Sequence, residues 1–164
     1  MTELSMRDAV SERAPRPYRK SAPNIVVIVL DDLGFAQAGC YGSDLETPNL
    51  DRIAERGIRF TNFHTTAICS PTRACLLTGR NHHRVGMGML PDLPVNFPGY
   101  TGTFPDNAAT IAEILKADGY VTSAIGKWHL TARDQRATGP YDMWPTGVGF
   151  EHYYGFLNGE TNQW

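Results

Sequence analysis

The sequence predicts an α/β fold in which a central, mostly parallel sheet is flanked by helices. The first observation is the apolar run NIVVIVL at residues 24–30, whose β-branched side chains suit a parallel strand covered on both faces. The second is that strand patterns at 58–64 and 120–126 alternate with short helical patterns. Strands that alternate with helices along a chain are typical of this fold class.

The element after the first predicted strand is a short helix in TPNLDRIAERG. Thr47 is its candidate N-cap, Pro48 its first residue and Gly57 its stop, with apolar residues at helical spacing between them. Residues 58–64, IRFTNFH, alternate apolar and polar side chains, and this alternation predicts the second strand.

A second helix is predicted in SPTRACLLTG. Ser70 is its candidate N-cap, Pro71 lies just inside it and Gly79 ends it, so Cys69 lies at a strand-to-helix junction. The glycine- and proline-rich residues 81–105 then predict a long loop, and loops of this length inside a domain are usually functional or mobile.

The last predicted helix and strand lie in the second half of the chain. Thr110 and Glu113 form a capping box for the helix TIAEILKADG, which ends at Gly119. Residues 120–126, YVTSAIG, predict the third strand, and KWHL begins where that strand ends. The tail 139–164 is rich in aromatic residues and glycine and is interpreted as a loop.

Composition and charge exclude several function classes. Among 164 residues, 15 Lys and Arg against 17 Asp and Glu give a net charge of −2, without a basic stripe for nucleic acid or anionic lipid. The apolar run is far shorter than the ~20 residues of a membrane helix, so we expect no membrane span. Residues 1–23 mix both charges with prolines, which predicts a flexible arm before the domain 24–164. Three cysteines at irregular spacing fit a reducing compartment, so we expect a cytoplasmic location.

Polar residues follow the predicted strands at the ends where α/β sheets bind ligands. Asp31 and Asp32 follow the first strand, and a hard divalent cation would offset two adjacent carboxylates there. The alternative is a solvated strand end in which one aspartate caps the next turn. Lys127 and His129 lie on the same side of an extended segment and suit an oxyanion. Their alternative is a surface lysine and a capping histidine.

Cys69, near Arg73 at a predicted helix N-terminus, is a third candidate group at this rim of the sheet. The helix dipole and the guanidinium both favour a thiolate, which suggests a cysteine nucleophile. The alternative is a half-buried structural cysteine, and we assign Cys40 and Cys75 to that class.

Two segments resemble the signatures of the type I sulfatases, the arylsulfatase branch of the alkaline-phosphatase-like superfamily. They are CSPTR within AICSPTRACLLTG, and GYVTSAIGKWH; VLDDLG and ETPNLDRIAERGIRFTNFH fit the same family in the same order. The resemblance covers residues 24–164 and implies the N-terminal portion of an alkaline-phosphatase-like α/β sandwich.

The resemblance implies that Cys69 is a precursor and not a thiol nucleophile. In this family a formylglycine-generating enzyme oxidises the cysteine of C-x-P-x-R to Cα-formylglycine, so Cys69, Pro71 and Arg73 would form the modification signal. One hydroxyl of the hydrated aldehyde would attack the sulfur of a small-molecule sulfate ester, and the other would drive sulfate release. Asp31 and Asp32 would bind calcium (Ca²⁺), with a diol oxygen of residue 69 as a further ligand.

The resemblance also implies roles for three cationic or titratable side chains. Arg73 would hold the geometry of the diol and the calcium site, Lys127 would bind a sulfate oxygen, and His129 would orient or deprotonate a diol hydroxyl. In this family further calcium ligands, a leaving-group histidine and a second lysine come from farther along the chain. The 164-residue chain is therefore expected to be inactive by itself.

Two other functions remain open at this point. One is a phosphonate monoester or phosphodiester hydrolase of the same superfamily, because sulfate and phosphate esters share a tetrahedral oxyanion geometry. The other is a non-catalytic remnant that folds in part or serves as an interaction module.

Overall fold

The computed structural model describes residues 16–17 and 21–162, which divide into two compact units. The small unit is Pro23–Thr65, and the large unit holds the described residues of Met1–Ala22 together with those of Thr66–Trp164. Of the predicted arm 1–23, residues 1–15 and 18–20 lie outside the described residues. Arg16, within that arm, pairs with Asp118 at 3.1 Å; the arm's flexibility stays a prediction.

Helix α1, Pro48–Arg56, is the main element of the small unit, and it confirms the first predicted helix. Thr47 is its N-cap residue, but the hydroxyl of Thr47 does not cap the helix backbone. Instead, the Gly39 amide donates to Thr47 Oγ1 at 2.8 Å, and this hydroxyl donates to the Asp51 carboxylate at 3.0 Å. The side chain therefore joins the start of α1 to the 3₁₀ turn Gly39–Tyr41.

The predicted strands at 24–30 and 58–64 are not strands in the structure. In the described part of the chain, the sheet contains two strands, and neither lies in these ranges. Val26 is 80% exposed and Ile58 is 82% exposed. A buried parallel strand needs strand partners, and within the small unit these two segments have none.

The described part of the large unit contains three α-helices. Helix α2 is Cys69–Thr78, helix α3 is Ile111–Ala117 and helix α4 is Gln135–Thr138. The predicted capping box of α3 is confirmed: Thr110 Oγ1 accepts from the Glu113 amide at 3.1 Å, and the Thr110 amide donates to Glu113 Oε2 at 2.7 Å. Gly79 ends α2 with a φ of +65°, in the left-handed region that favours glycine.

Strands β1, Ser123–Lys127, and β2, His152–Phe156, form a parallel pair. Strand β1 confirms the third predicted strand, with a shift of its start, whereas β2 lies in the tail that the sequence analysis interpreted as a loop. The pairing continues beyond β1, because the His129 amide donates to the Leu157 carbonyl at 3.2 Å. The chain leaving β1 is thus held in register up to His129.

The core of the large unit lies between α2, the segment after β1 and the loop 81–105. It comprises the buried residues Ala74, Val85, Met87, Phe104, Ala108, Trp128, Leu130, Met143 and Val148. The loop is irregular apart from a 3₁₀ turn at His82–Val85, as predicted, but Val85 and Met87 within it are fully buried. None of the helices among the described residues has the length and apolar character needed to cross a bilayer.

Candidate active site

The site is built at the point where the chain leaves β1. Among the described residues that are not glycine, His129 and Asp32 have positive φ, each +54°. Such backbone conformations are uncommon for residues other than glycine and cluster at functional sites. Both residues were candidate site residues on sequence grounds.

Cys69 is the first residue of α2 and lies against His129. Its Sγ is 3.0 Å from His129 Nδ1. Ser70 was predicted as the N-cap, and this prediction is wrong: the N-cap is Ile68, and Ser70 lies inside the helix. The buried Ser70 hydroxyl donates instead to the His129 carbonyl at 2.6 Å, so the start of α2 is joined to the exit of β1.

Arg73 and Pro71 occupy the same helix. Pro71 is buried in its first turn, where a missing backbone N–H costs no helical hydrogen bond. Arg73, one turn after Cys69, donates from Nη1 to the Lys127 carbonyl at 2.6 Å. Lys127 is the last residue of β1, so Arg73 is a second connection between α2 and the end of this strand.

Asp92, which the sequence analysis did not select, completes the surroundings of His129. Its Oδ2 lies 3.0 Å from His129 Nε2, and its Oδ1 lies 2.6 Å from Arg136 Nη2. The side chains of His129, Arg136 and Asp92 are 7%, 15% and 26% exposed. No local motif marks Asp92 in the sequence. Its place in the long loop 81–105 was the one feature that pointed to a functional role.

Burial lowers the pKa of His129 below its ordinary value of 6.5. The hydrogen bond and the negative charge of Asp92 raise this pKa, and the positive charges of Lys127 and Arg136 add to the lowering. Since the effect of burial is the largest, the imidazole is neutral at neutral pH, with one nitrogen that donates and one that accepts.

Asp31 and Asp32 lie in the small unit, and their carboxylates are oxygen ligands of the kind that Ca²⁺ prefers. Two carboxylates are fewer than the ~6–8 oxygen ligands that calcium takes. Within the described residues, no group of three or more His, Cys, Asp or Glu side chains is arranged to hold a metal ion. The carboxylate oxygens of Asp31 and Asp32 therefore fit calcium in type, but they are too few to complete its coordination.

Comparison with known proteins identifies the family. The sulfatase family model matches residues 23–164, which is most of the chain. The chain belongs to the sulfatase family. Human arylsulfatase A is 45% identical over 135 residues, and an uncharacterized sulfatase of Schizosaccharomyces pombe is 40% identical over 147 residues. These alignments cover 81% and 85% of the chain but only 25% of each relative, so this sulfatase sequence spans about a quarter of their length.

Solved structures support the same family. One match is the crystal structure of Ps i-CgsB in complex with k-i-k-neocarrahexaose, with 36% sequence identity and a TM-score of 0.66. The alignment covers 80% of this chain and 27% of the Ps i-CgsB chain. The PsFucS1 sulfatase from Pseudoalteromonas sp. is 29% identical with a TM-score of 0.60, covering 79% and 25%. The described residues thus form part of the α/β sulfatase fold.

Proposed function

We propose that this chain carries part of the active site of an arylsulfatase-type sulfuric ester hydrolase, whose nucleophile derives from Cys69. The observation that carries the proposal is the contact of 3.0 Å between Cys69 Sγ and His129 Nδ1 at the start of α2. In the enzyme, Sγ would be replaced by the oxygens of Cα-formylglycine in its hydrated form. That group supplies a gem-diol, which takes up the sulfuryl group and then releases sulfate.

The described residues supply position and charge to this chemistry. The Nδ1 atom of His129 would orient a hydroxyl of residue 69 and accept its proton as sulfate leaves. Lys127 would bind a sulfate oxygen through its ammonium group, because a fixed cation stabilises the charge of a transferring sulfuryl group. Arg73 would keep α2 against the end of β1 through its bond of 2.6 Å to the Lys127 carbonyl.

Asp31 and Asp32 would bind Ca²⁺, and further ligands would have to complete its shell. Calcium would supply positive charge at the sulfate group. We expect the isolated chain to bind calcium weakly and to be inactive on aryl sulfates. Calorimetric titration with Ca²⁺ tests this, and micromolar affinity in the isolated chain would contradict it.

The modification of Cys69 is the decisive test. Trypsin cuts after Arg59, Arg73 and Arg80, so peptide 60–73 contains Cys69 alone, and the next peptide, 74–80, contains Cys75. In protein from its native host we expect peptide 60–73 to be about 18 Da lighter than the cysteine form, as thiol-to-aldehyde conversion requires. Peptide 74–80 is the matched control and should keep its thiol.

An unmodified Cys69 in a host that modifies other sulfatases would overturn the proposal and favour the non-catalytic remnant. A lighter peptide would also show that the host contains an enzyme that converts Cys69, as the proposed formylglycine-generating partner would. Sulfate esters are favoured over phosphonate monoesters and phosphodiesters because the similar proteins are described as sulfatases. Comparing turnover of an aryl sulfate and an aryl phosphonate by the native enzyme separates these two substrate classes.

We also propose a cytoplasmic location. The support is that three cysteines at irregular spacing give no disulfide framework, as a reducing compartment favours. Fractionation of the native host tests this, and recovery of the protein outside the cytoplasm would contradict it.

A further inference from the structure

We propose that Asp92, held in place by Arg136, is a positioning residue that fixes the proton of His129 on Nε2 and leaves Nδ1 facing residue 69 as an acceptor. The inference deepens the proposed function and rests on it for its chemical purpose. The arrangement of donors and acceptors can be tested without any activity. Asp92 would act through His129, without touching the substrate.

Each oxygen of the Asp92 carboxylate has its own partner. Oδ2 lies 3.0 Å from His129 Nε2, and Oδ1 lies 2.6 Å from Arg136 Nη2. Because an ionised carboxylate can only accept, the nitrogen that faces it has to donate. A neutral imidazole with its proton on Nε2 has its lone pair on Nδ1 and accepts there. Nδ1 is the atom that lies 3.0 Å from Cys69 Sγ.

Arg136 forms an ion pair with the Asp92 carboxylate. Its guanidinium is anchored on the other side, since Nε donates to the Thr131 carbonyl at 3.1 Å. The Arg136 side chain is 15% exposed, so this pair is more than a solvated surface ion pair of small energetic value. The two residues lie 44 positions apart in the chain (136 − 92), and Asp92 contacts both Arg136 and His129.

The imidazole itself has little room to turn. A Cβ added at Gly159 would lie 2.5 Å from His129 Cε1, so the backbone of Gly159 approaches the ring as closely as a glycine allows. The backbone of His129 is held from two sides, by the Ser70 hydroxyl on its carbonyl and the Leu157 carbonyl on its amide. A ring fixed in this way presents the same nitrogen to residue 69 in every molecule.

The test is to determine which nitrogen of His129 carries the proton. We would use the full chain with Cys69→Ser, so that residue 69 presents a hydroxyl as the diol would. Long-range ¹H–¹⁵N correlation distinguishes protonated from unprotonated ring nitrogens, and a His129→Gln chain assigns the signal among the five histidines. At a pH where the ring is neutral, we expect the proton on Nε2.

Asp92→Asn should move the proton to Nδ1. Arg136 can only donate, so it takes the amide oxygen of the new side chain and leaves the amide NH₂ facing Nε2, which then has to accept. Adding Arg136→Met frees the amide to turn, so the preference for a proton on Nδ1 should weaken. The control is Asp106→Asn, the same chemical change at an exposed aspartate, which should leave the His129 signals unchanged.

A proton on Nδ1 in the Cys69→Ser chain would overturn the inference, and so would an Asp92→Asn chain that keeps the proton on Nε2. If Asp92→Asn prevents folding, as judged by loss of the Trp128 indole N–H signal, the Cys69→Ser chain alone still decides. The NMR measurement depends on neither the modification of Cys69 nor turnover. A negative NMR result can therefore be distinguished from a negative result in the mass measurement. The proposed function can then stand without a role for Asp92.

Discussion

At the scale of single residues, Ser70 connects the first turn of α2 to the exit of β1. Its hydroxyl is buried and donates to the His129 carbonyl at 2.6 Å. Removing a buried donor leaves its acceptor without a partner, which costs more than the bond itself contributes. The position of His129, and with it the contact to Cys69, therefore depends on a residue that has no direct part in the chemistry.

We expect Ser70→Ala to lower the free energy of unfolding by about 1–3 kcal/mol. Urea denaturation followed by tryptophan fluorescence measures this change. Ser123→Ala, at an exposed position of β1, is the control and should change stability by less than about 0.5 kcal/mol. Equal effects of the two variants would mean that the Ser70 hydroxyl is not important for the fold.

At the scale of elements, the capping box of α3 also holds another segment. Thr110 Oγ1 accepts from the Glu113 amide at 3.1 Å and donates to the Val148 carbonyl at 2.6 Å. Thr110 is fully buried. Thr110→Val keeps the side-chain volume and removes both hydrogen bonds. We expect a loss of about 2 kcal/mol from the cap and the buried bond together.

The measurement is again urea denaturation, with Thr138→Val as the control. Thr138 is the exposed last residue of α4, and the same substitution there removes no cap. A change below about 0.5 kcal/mol at Thr110, the level of an ordinary surface substitution, would contradict the structural role of its hydroxyl.

Strand β2 gives a prediction about alkaline pH. Tyr153 donates to the Gly126 carbonyl at 3.2 Å, and burial raises its pKa from 10.0 to about 12, against the opposing effect of Arg73. The folded chain thus holds the phenolic proton more tightly than the unfolded chain. This stabilisation is complete below pH 10.0 and is lost as pH rises towards about 12.

Tyr153→Phe should therefore lose less stability than the wild type when pH is raised from below 10.0 towards 12. Chemical denaturation at pH values on either side of 10.0 measures the difference. Tyr154→Phe is the matched control, because Tyr154 is 82% exposed and should leave the pH dependence unchanged. Parallel pH profiles for the wild type and Tyr153→Phe would show that the phenol titrates normally.

Three helices and one strand with local signals were predictable from the sequence, whereas the strands predicted at 24–30 and 58–64 were wrong. Stops and helical spacing placed α1, α2 and α3, and the strand pattern YVTSAIG placed β1. Strand β2, HYYGF, was missed because a glycine and aromatic residues carry no clear alternation, and its state depends on pairing with β1. Asp92 was missed for the same physical reason, since it meets His129 across 37 positions and no local pattern encodes such a contact.

At the scale of the whole molecule, apolar side chains that a complete sheet would bury are exposed. Residues 25–30 are between 44% and 80% exposed, in a β-branched run without charge or proline. Such segments favour strand pairing between molecules. We therefore expect the isolated chain to associate as its concentration rises, and this segment to be a main cause.

Val26→Lys should raise the concentration at which the chain remains monomeric, because a charge within such a run opposes strand pairing. The control is Thr61→Lys, at an exposed polar position of the same unit. Both variants change the net charge from −2 to −1 (−2 + 1 = −1), which by itself favours association. A gain specific to Val26→Lys in sedimentation velocity thus identifies the apolar run as the contact, whereas equal behaviour of the two variants would place it elsewhere.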